Sequence, residues 1–228
     1  MNDVLLTRIQ LVNTHRLIPS RYPPVGVLDL ITDPGDLDTI IEFEGWTNDR
    51  ISAELGVMRR IPSAEWVVGR AMASVIMAAF CHPDPLGARF NGADVGAWYA
   101  ARSLDTAQAE VIHHRTMELE EIGVLDARLQ MREYLADMDA AFHDIRRNNP
   151  DFVPLYDPDS YVASQAFAQL LRAGGSNGVL YHSVRHHGGE CVACFRPLLV
   201  TNVRQAAHFE YRWLGSRVPT ITQLHGLP

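Results

Sequence analysis

The sequence is short of cysteine, of positive charge and of long apolar runs. Its three cysteines, Cys81, Cys191 and Cys194, are sparse and odd in number, which excludes a disulfide framework and fits a reduced, cytoplasmic setting. The most apolar stretch, Trp66 to Phe80, is too short to span a bilayer and contains Arg70, so it reads as a buried helix and no membrane segment is expected. The opening Met1-Asn2-Asp3-Val4 has no basic region followed by an apolar run, so no secretory leader is expected. Twenty Lys+Arg against 27 Asp+Glu leave a net charge of -7, which argues against direct nucleic-acid binding. A Gly-x-Ser-x-Gly elbow is missing, which disfavours an acylating serine. Gly174-Gly175-Ser176-Asn177-Gly178 follows a helical pattern and precedes a strand pattern. That is the reverse of a phosphate-cradling loop, so it reads as a helix end and turn.

What is present is a chain of 228 residues, 47% of them apolar, enough for one sizeable core. Leu11 to Leu17 reads as a strand, followed by Pro19, Pro23 and Pro24, which forbid regular helix. A turn is expected at Pro34-Gly35-Asp36 and a short helix over Asp36 to Glu44. Ser63 reads as the N-cap of a helix running to Phe80, broken by Pro83-Asp84-Pro85-Leu86-Gly87. Ala97 to Ala101 reads as a short strand. Ser103 then caps a helix with Leu104, Ala107, Val111 and Leu119 at helical spacing. Val124 to Tyr134 alternates as a strand and then turns ambiguous, and Asn148-Asn149-Pro150 is a break. Ser160 opens another helix, and Val179 to Val184, Cys191 to Leu199 and His208 to Leu214 read as strands. Helices and strands mix without regular alternation, so the fold class is α+β.

Several polar residues sit where such elements end. Glu110 borders the apolar stripe of its helix beside Thr106 and Ala107, with His113 and His114 at helical distance. Ser183 follows an apolar strand, between Tyr181 and Arg185. Arg16, Arg21 and Arg89 lie near strand or loop ends; an arginine fork suits phosphate oxygens, although surface salt bridges would explain any one of them. Cys191 and Cys194 have the spacing of half a zinc site, with His182, His186 and His187 nearby. On a strand these two cysteines face opposite ways, so two small buried residues is the better reading and no metal is expected.

Taken together, these residues resemble the RES-domain family, named for an arginine, a glutamate and a serine. The arginine resembles Arg16 in Thr14-His15-Arg16-Leu17-Ile18-Pro19, the glutamate Glu110 in Thr106-Ala107-Gln108-Ala109-Glu110-Val111, and the serine Ser183 in Tyr181-His182-Ser183-Val184-Arg185. Ala88-Arg89-Phe90-Asn91 is similar to the family's Gly-Arg-Trp-Asn stretch, and Trp98-Tyr99-Ala100-Ala101 resembles the aromatic strand after it. The family's Pro-Pro-Gly is replaced by Gly92-Ala93-Asp94. The resemblance covers about Leu11 to Leu199 and implies a single domain over 1–228, with a helical insertion at about 28–84.

The resemblance implies a compact split β-sheet with surrounding helices, similar to the ADP-ribosylating toxins, around an NAD+ cleft. It implies a toxin of a toxin–antitoxin pair that breaks the nicotinamide–ribose bond of NAD+ by phosphorolysis or hydrolysis, with inorganic phosphate as co-substrate in the first case and no resident cofactor. Glu110, Arg16 and Ser183 are then expected to be catalytic, with Ser183 orienting the ribose. Arg16 and Arg89, with Arg21 as the weaker candidate, are expected to hold the diphosphate or the incoming phosphate, Tyr99 to pack on the nicotinamide or its ribose, and Asn91 to contact substrate. An Xre-type antitoxin is the expected partner, and homo-oligomerisation stays open. ADP-ribosyl transfer to a macromolecule, or a non-catalytic nucleotide-binding module, are the alternatives.

Overall fold

The structure, a computed structural model, describes residues 4–22, 27–30 and 57–225. The turn expected at Pro34-Gly35-Asp36 and the short helix expected over Asp36 to Glu44 lie outside the described residues. Strands β1 (Leu5–Pro19), β2 (Trp98–Ala101), β3 (Asp126–Asp144), β4 (Gly178–His182), β5 (Glu190–Cys194), β6 (Thr201–Leu214) and β7 (Thr220–Leu224) mix with helices α1 (Val27–Leu30), α2 (Ala73–Cys81), α3 (Leu104–Glu121) and α4 (Val162–Ala173). This is an α+β arrangement around one seven-stranded sheet, ordered β1-β2-β5-β4-β3-β6-β7, with β1 also paired to β3.

The sheet divides at β3. One edge of β3 carries β1, from Leu5↔Asp144 to Pro19↔Met131, with a register shift between Leu11 and Thr14. At that bulge Asn13 has φ 55, a conformation asparagine tolerates, and donates its N–H to Asp137 Oδ1 at 2.8 Å. The other edge of β3 carries β6 over Asp126 to Asp137 and then β4, in parallel, at His143 and Asp144. The β4-β5-β2 ribbon returns to β1 at His15↔Ala101, so five strands close into a ring.

Residues of β2, β4 and β5 alternate between two cores. Trp98, Ala100, Leu180, Val192 and Cys194 pack with α2, while Ala101, Val179, Tyr181, Cys191 and Ala193 pack with α3 and α4. Strands covered on both faces read as near-continuous apolar runs, which is why their positions are visible in the sequence. The same alternation places Cys191 and Cys194 in opposite cores.

Local signals set the helix ends. Ser103 Oγ accepts from Thr106 N at 3.3 Å at the start of α3, and Asp105 lies in the first turn. At the other end Gly123 takes φ 70, and Val124 N donates to Leu119 O at 2.8 Å, a glycine-dependent stop. In α4 the first helical residue is Val162, whose N–H is received by Ser160 Oγ at 3.4 Å.

The helix expected from Ser63 to Phe80 needs correction. Ser63–Glu65 is a single 3-10 turn without a side-chain cap, and the α-helix begins only at Ala73. Trp66 is extended, with its indole N–H donated to the carbonyls of Met58 (3.1 Å) and Ile61 (2.9 Å). Gly69 (φ 68) and Met72 (φ 64) are left-handed, which interrupts a helix. The N-terminus of α2 is instead met from a distance, by Asp29 Oδ2 accepting from Ser74 N at 3.2 Å. Burial of Val75, Ile76, Met77 and Phe80 agrees with the expected core role. Elsewhere, β1 begins at Leu5 rather than Leu11, and β3 continues through the ambiguous stretch to Asp144. The strand expected to reach Leu199 stops at Cys194, because Pro197 opens a 3-10 turn. The strand expected at His208 starts at Thr201, and β7 was not anticipated. Among the described residues no helix is long and apolar enough to cross a membrane.

Candidate functional site

Glu110 and Ser183 meet where α3 crosses the end of β4. Thr106 and Ala107 are buried, which presses that side of α3 onto the sheet and leaves Glu110 half-buried one turn later. Tyr181 anchors β4 in the core, and the chain turns back after His182, with Ser183 N donating to Gly189 O at 2.8 Å. Ser183 Oγ accepts from the N–H groups of Arg185 (3.0 Å) and His186 (2.9 Å) and donates to Glu110 Oε1 at 2.6 Å. A second bond joins the same loop to α3: His186 Nδ1 and Thr106 Oγ1 are 2.8 Å apart, and Thr106 Oγ1 lies 2.8 Å from Ser103 Oγ. Gly189 packs on this junction, and a Cβ there would lie 2.6 Å from Thr106 Oγ1. The Glu110 carboxylate is thus engaged by Ser183, and the helical pairing with His113 or His114 is not formed. Those two rings instead meet edge to face at 5.4 Å. Burial and the Arg185 charge hold His113 below the ordinary histidine value.

Two arginines close the other side of this loop. Arg89 is buried; its Nη1 donates to the carbonyls of Leu155 (3.0 Å) and Asp157 (2.9 Å), and its guanidinium lies 4.7 Å over the Tyr161 ring. Arg185 donates to the carbonyl of Pro158 in the same turn. The charges of both arginines help to depress His113 and His114, so they lie near this side of α3.

Arg16 belongs to an adjoining cluster. Its strand pairs with β2 at His15↔Ala101, and its Nη1 donates to Tyr99 O at 3.0 Å, so the side chain bridges the two strands where their pairing ends. The guanidinium lies 4.9 Å over Trp98, and burial lowers its pKa to about 10, leaving it a cation at neutral pH. Tyr99, expected against the nicotinamide or its ribose, uses its hydroxyl within the protein: it accepts from Phe90 N at 2.9 Å and donates to Asn91 Oδ1 at 2.8 Å. Asn91 is buried, and its Nδ2 donates to Gly92 O at 2.7 Å. Phe90 meets the Tyr181 ring edge-on at 4.8 Å. Burial, Cys191 and Glu110 together push the Tyr181 phenol up. Among the described residues no hydrogen bond joins the Arg16–Tyr99–Asn91 cluster to the Glu110–Ser183 pair. Arg21 is apart from both: it is exposed, with its guanidinium over Tyr22 at 5.1 Å.

The sequence contains no lysine, so every cationic side chain other than histidine is an arginine. Arg16, Arg89 and Arg185 all bond to carbonyl oxygens, and among the described residues none has a carboxylate partner. A half-buried guanidinium without a counter-ion is costly, and aromatic rings offset only about 1–2 kcal/mol of that. Such a group suits an anionic ligand. Arg185 could have been singled out from its place two residues after Ser183. The Thr106–His186 contact, 80 residues apart in the chain, left no sequence signal.

The chain is 28% identical over 211 residues to the uncharacterized protein y4oC of Sinorhizobium fredii (strain NBRC 101917 / NGR234), covering 90% of this chain and 84% of that protein. In three dimensions it is similar to a chain in the crystal structure of the M. tuberculosis MbcT–MbcA toxin–antitoxin complex. That likeness has 15% identity and a TM-score of 0.40, over 55% of this chain and 72% of that one. The family model described as RES domain matches residues 57–214, a stretch that holds Glu110 and Ser183, begins after Arg16 and takes in residues 57–84 of the expected insertion. On that match the chain belongs to the RES domain family.

Proposed function

We propose that the protein cleaves the nicotinamide–ribose bond of NAD+, passing the ADP-ribosyl group to inorganic phosphate or water. The observation that carries this reading is the 2.6 Å hydrogen bond from Ser183 Oγ to Glu110 Oε1, on a loop whose neighbouring cations, Arg89 and Arg185, have only carbonyl partners among the described residues.

Nicotinamide leaves a cationic ring as a neutral molecule, so its departure needs no general acid, and one carboxylate can serve where glycoside hydrolysis ordinarily uses two. Positive charge gathers on the ribose as the bond breaks. A carboxylate held at a fixed angle stabilises that charge without reorganising, and this electrostatic effect grows toward the transition state. Glu110 fills that role, Ser183 holds its orientation, and Arg89 and Arg185 receive diphosphate oxygens. Arg16 acts through Tyr99, with its charge at the edge of the site. NAD+ is the substrate, and the reaction needs no resident metal or cofactor. A toxin role with an Xre-type antitoxin covering the cleft follows from family membership as a further part of this proposal.

The test is to incubate the pure protein with NAD+, with and without phosphate, and to measure free nicotinamide and the ribose product. Nicotinamide release is expected, falling about a hundredfold or more in Glu110→Gln. A phosphorylated ADP-ribose product identifies phosphate as acceptor, and free ADP-ribose identifies water. Absence of nicotinamide release, or equal rates in Glu110→Gln, overturns the reading.

A further inference from the structure

A separate cleft of about 720 Å³ opens beside Asn91 and Gly92, and neither Glu110, Ser183, Arg16 nor Arg89 lines it. That volume is in the ordinary range for small-molecule sites. One wall is a face of α4, where Val162, Gln165, Ala166, Gln169 and Arg172 recur at three- and four-residue steps. The others are the segment from Arg60 to Glu65, the loop from Asn91 to Val95, Gly175 with Ser176, and Phe195 to Pro197.

Five charged residues line the cleft, and four of them pair with one another. Arg60 Nη1 bonds Asp94 Oδ1 at 2.9 Å on the rim, and Arg196 bonds Glu65 Oε1. Arg172 is the remaining one, with no carboxylate partner among the described residues. Its Nη2 donates to Gly96 O at 2.7 Å, its guanidinium lies 4.1 Å over Phe195, and its Nε is buried without a partner. Burial of this charge pulls its pKa down, the sign of a cation poorly solvated where it sits. Three arginines against two carboxylates leave the lining one positive charge in excess, in a chain whose own balance is -7. Ile61, Pro62, Val95 and Pro197 give the lining an apolar patch, beside the uncharged polar Asn91, Gln165, Gln169 and Ser176.

We propose that this cleft binds a small monocarboxylate with an apolar body, its carboxylate pairing with Arg172 and its body lying on the Ile61, Pro62, Val95 and Pro197 surface. A planar carboxylate suits a guanidinium fork. A dianion such as phosphate fits poorly, because Glu65 and Asp94 already occupy Arg196 and Arg60 and Arg172 alone balances only one charge. The site is independent of the NAD+ reading, although Asn91 is common to both regions through its bond to the Tyr99 hydroxyl.

The experiment titrates the full chain with benzoate, with its uncharged isostere benzamide, and with inorganic phosphate, using calorimetry or ligand-observed NMR. Benzoate is expected to bind at least about tenfold more tightly than benzamide or phosphate, one charged contact's worth of discrimination. Arg172→Gln is expected to remove that preference, and a thermal melt shows whether its fold survives. Gln169 is exposed, so Gln169→Glu and Gln169→Arg test the charge without burdening the fold. The first is expected to weaken benzoate about two- to fivefold and the second to tighten it by a similar factor. Equal affinity for benzoate and benzamide, no binding up to about 10 mM, or shifts of the same sign in the two Gln169 variants overturns the proposal.

Discussion

Ser183 Oγ donates its single hydrogen to Glu110 Oε1 at 2.6 Å while accepting from the amides of Arg185 and His186. Its one donor is therefore engaged by the carboxylate. The two amide donors polarise the hydroxyl and strengthen the bond it gives. In the proposed mechanism the serine therefore positions Glu110, where the family resemblance implies that it orients the ribose.

Ser183→Ala is accordingly expected to lower kcat for NAD+ cleavage by about ten- to a hundredfold, the range for losing a hydrogen bond to a charged group. KM should stay within about twofold, because ground-state binding is untouched. Ser183→Thr, which keeps the hydroxyl, should recover much of the rate. Steady-state kinetics decide it: a rise in KM at constant kcat would return Ser183 to direct substrate contact.

Gly189→Ala should act at the same junction without touching substrate. The new Cβ would lie 2.6 Å from Thr106 Oγ1, 2.7 Å from Thr106 Cγ2 and 3.0 Å from His186 O, so α3 and the serine loop must move apart. A displacement of this kind separates Glu110 from Ser183, and a misplacement of about 1 Å can reduce turnover about a hundredfold. Trimming the obstacle with Thr106→Ala in the same chain should restore part of the loss. Activity of the single and double variants, beside their melting temperatures, is the check.

Stability should depend on a buried ion cluster below the site. Arg146 bonds Asp144 through Nη2 at 2.7 Å and Glu190 through Nη1 at 2.8 Å, and Thr7 Oγ1 donates to Asp144 at 3.1 Å. Asp144 is 6% exposed. Burial pushes its carboxyl up, but the hydrogen bonds and charge of Arg146 outweigh that and leave it below the ordinary aspartate value. A carboxyl depressed in the folded state contributes stability that is present above the unfolded value, about 3.9, and lost as pH falls through the folded one. Urea midpoints should therefore drop as pH is taken below about 4, and Asp144→Asn should flatten that drop. Arg146→Met is expected to destabilise by about 3–5 kcal/mol at neutral pH, since it strands a buried carboxylate. A change under about 1 kcal/mol would show that water already reaches Asp144.

Arg89→Lys should separate binding from chemistry. A lysine can carry the charge but cannot span the carbonyls of Leu155 and Asp157 while lying flat on Tyr161. KM for NAD+ is expected to rise about tenfold or more with a smaller change in kcat, the pattern of lost ground-state contact. The same KM with kcat reduced would assign Arg89 to the transition state instead.

Which parts of this were visible in the sequence follows from where each partner sits. Helix α3 was legible because its cap, Ser103, and its apolar spacing are local; so was the border position of Glu110. Strands β2, β4 and β5 were legible because both of their faces are covered. Helix α2 was misjudged because its N-terminus is met by Asp29, 45 residues upstream, while Gly69 and Met72 take left-handed conformations that composition does not announce. The first residues of β1 and of β6 carry exposed side chains, and only their pairing with β3 makes them strands. At the site, residue types suggested Glu110 and Ser183, but the groups that orient Ser183 are main-chain amides, and Arg16 and Arg89 rest on main-chain oxygens. Acceptors and donors of that kind carry no residue identity, so only the folded chain reveals them.

The pairing of β1 with β3 has a consequence for biosynthesis. Leu5 lies opposite Asp144 and Leu11 opposite Met138. Apart from its contact with β2 at His15↔Ala101, β1 therefore gains no partner among the described strands until β3 has been translated. Throughout that interval Leu5, Leu6 and Val12, which stay exposed even in the finished fold, belong to an open β-edge. Such distant partners slow closure and leave the nascent chain open to wrong associations. The newborn chain is accordingly expected to benefit from chaperones while β1 waits for β3.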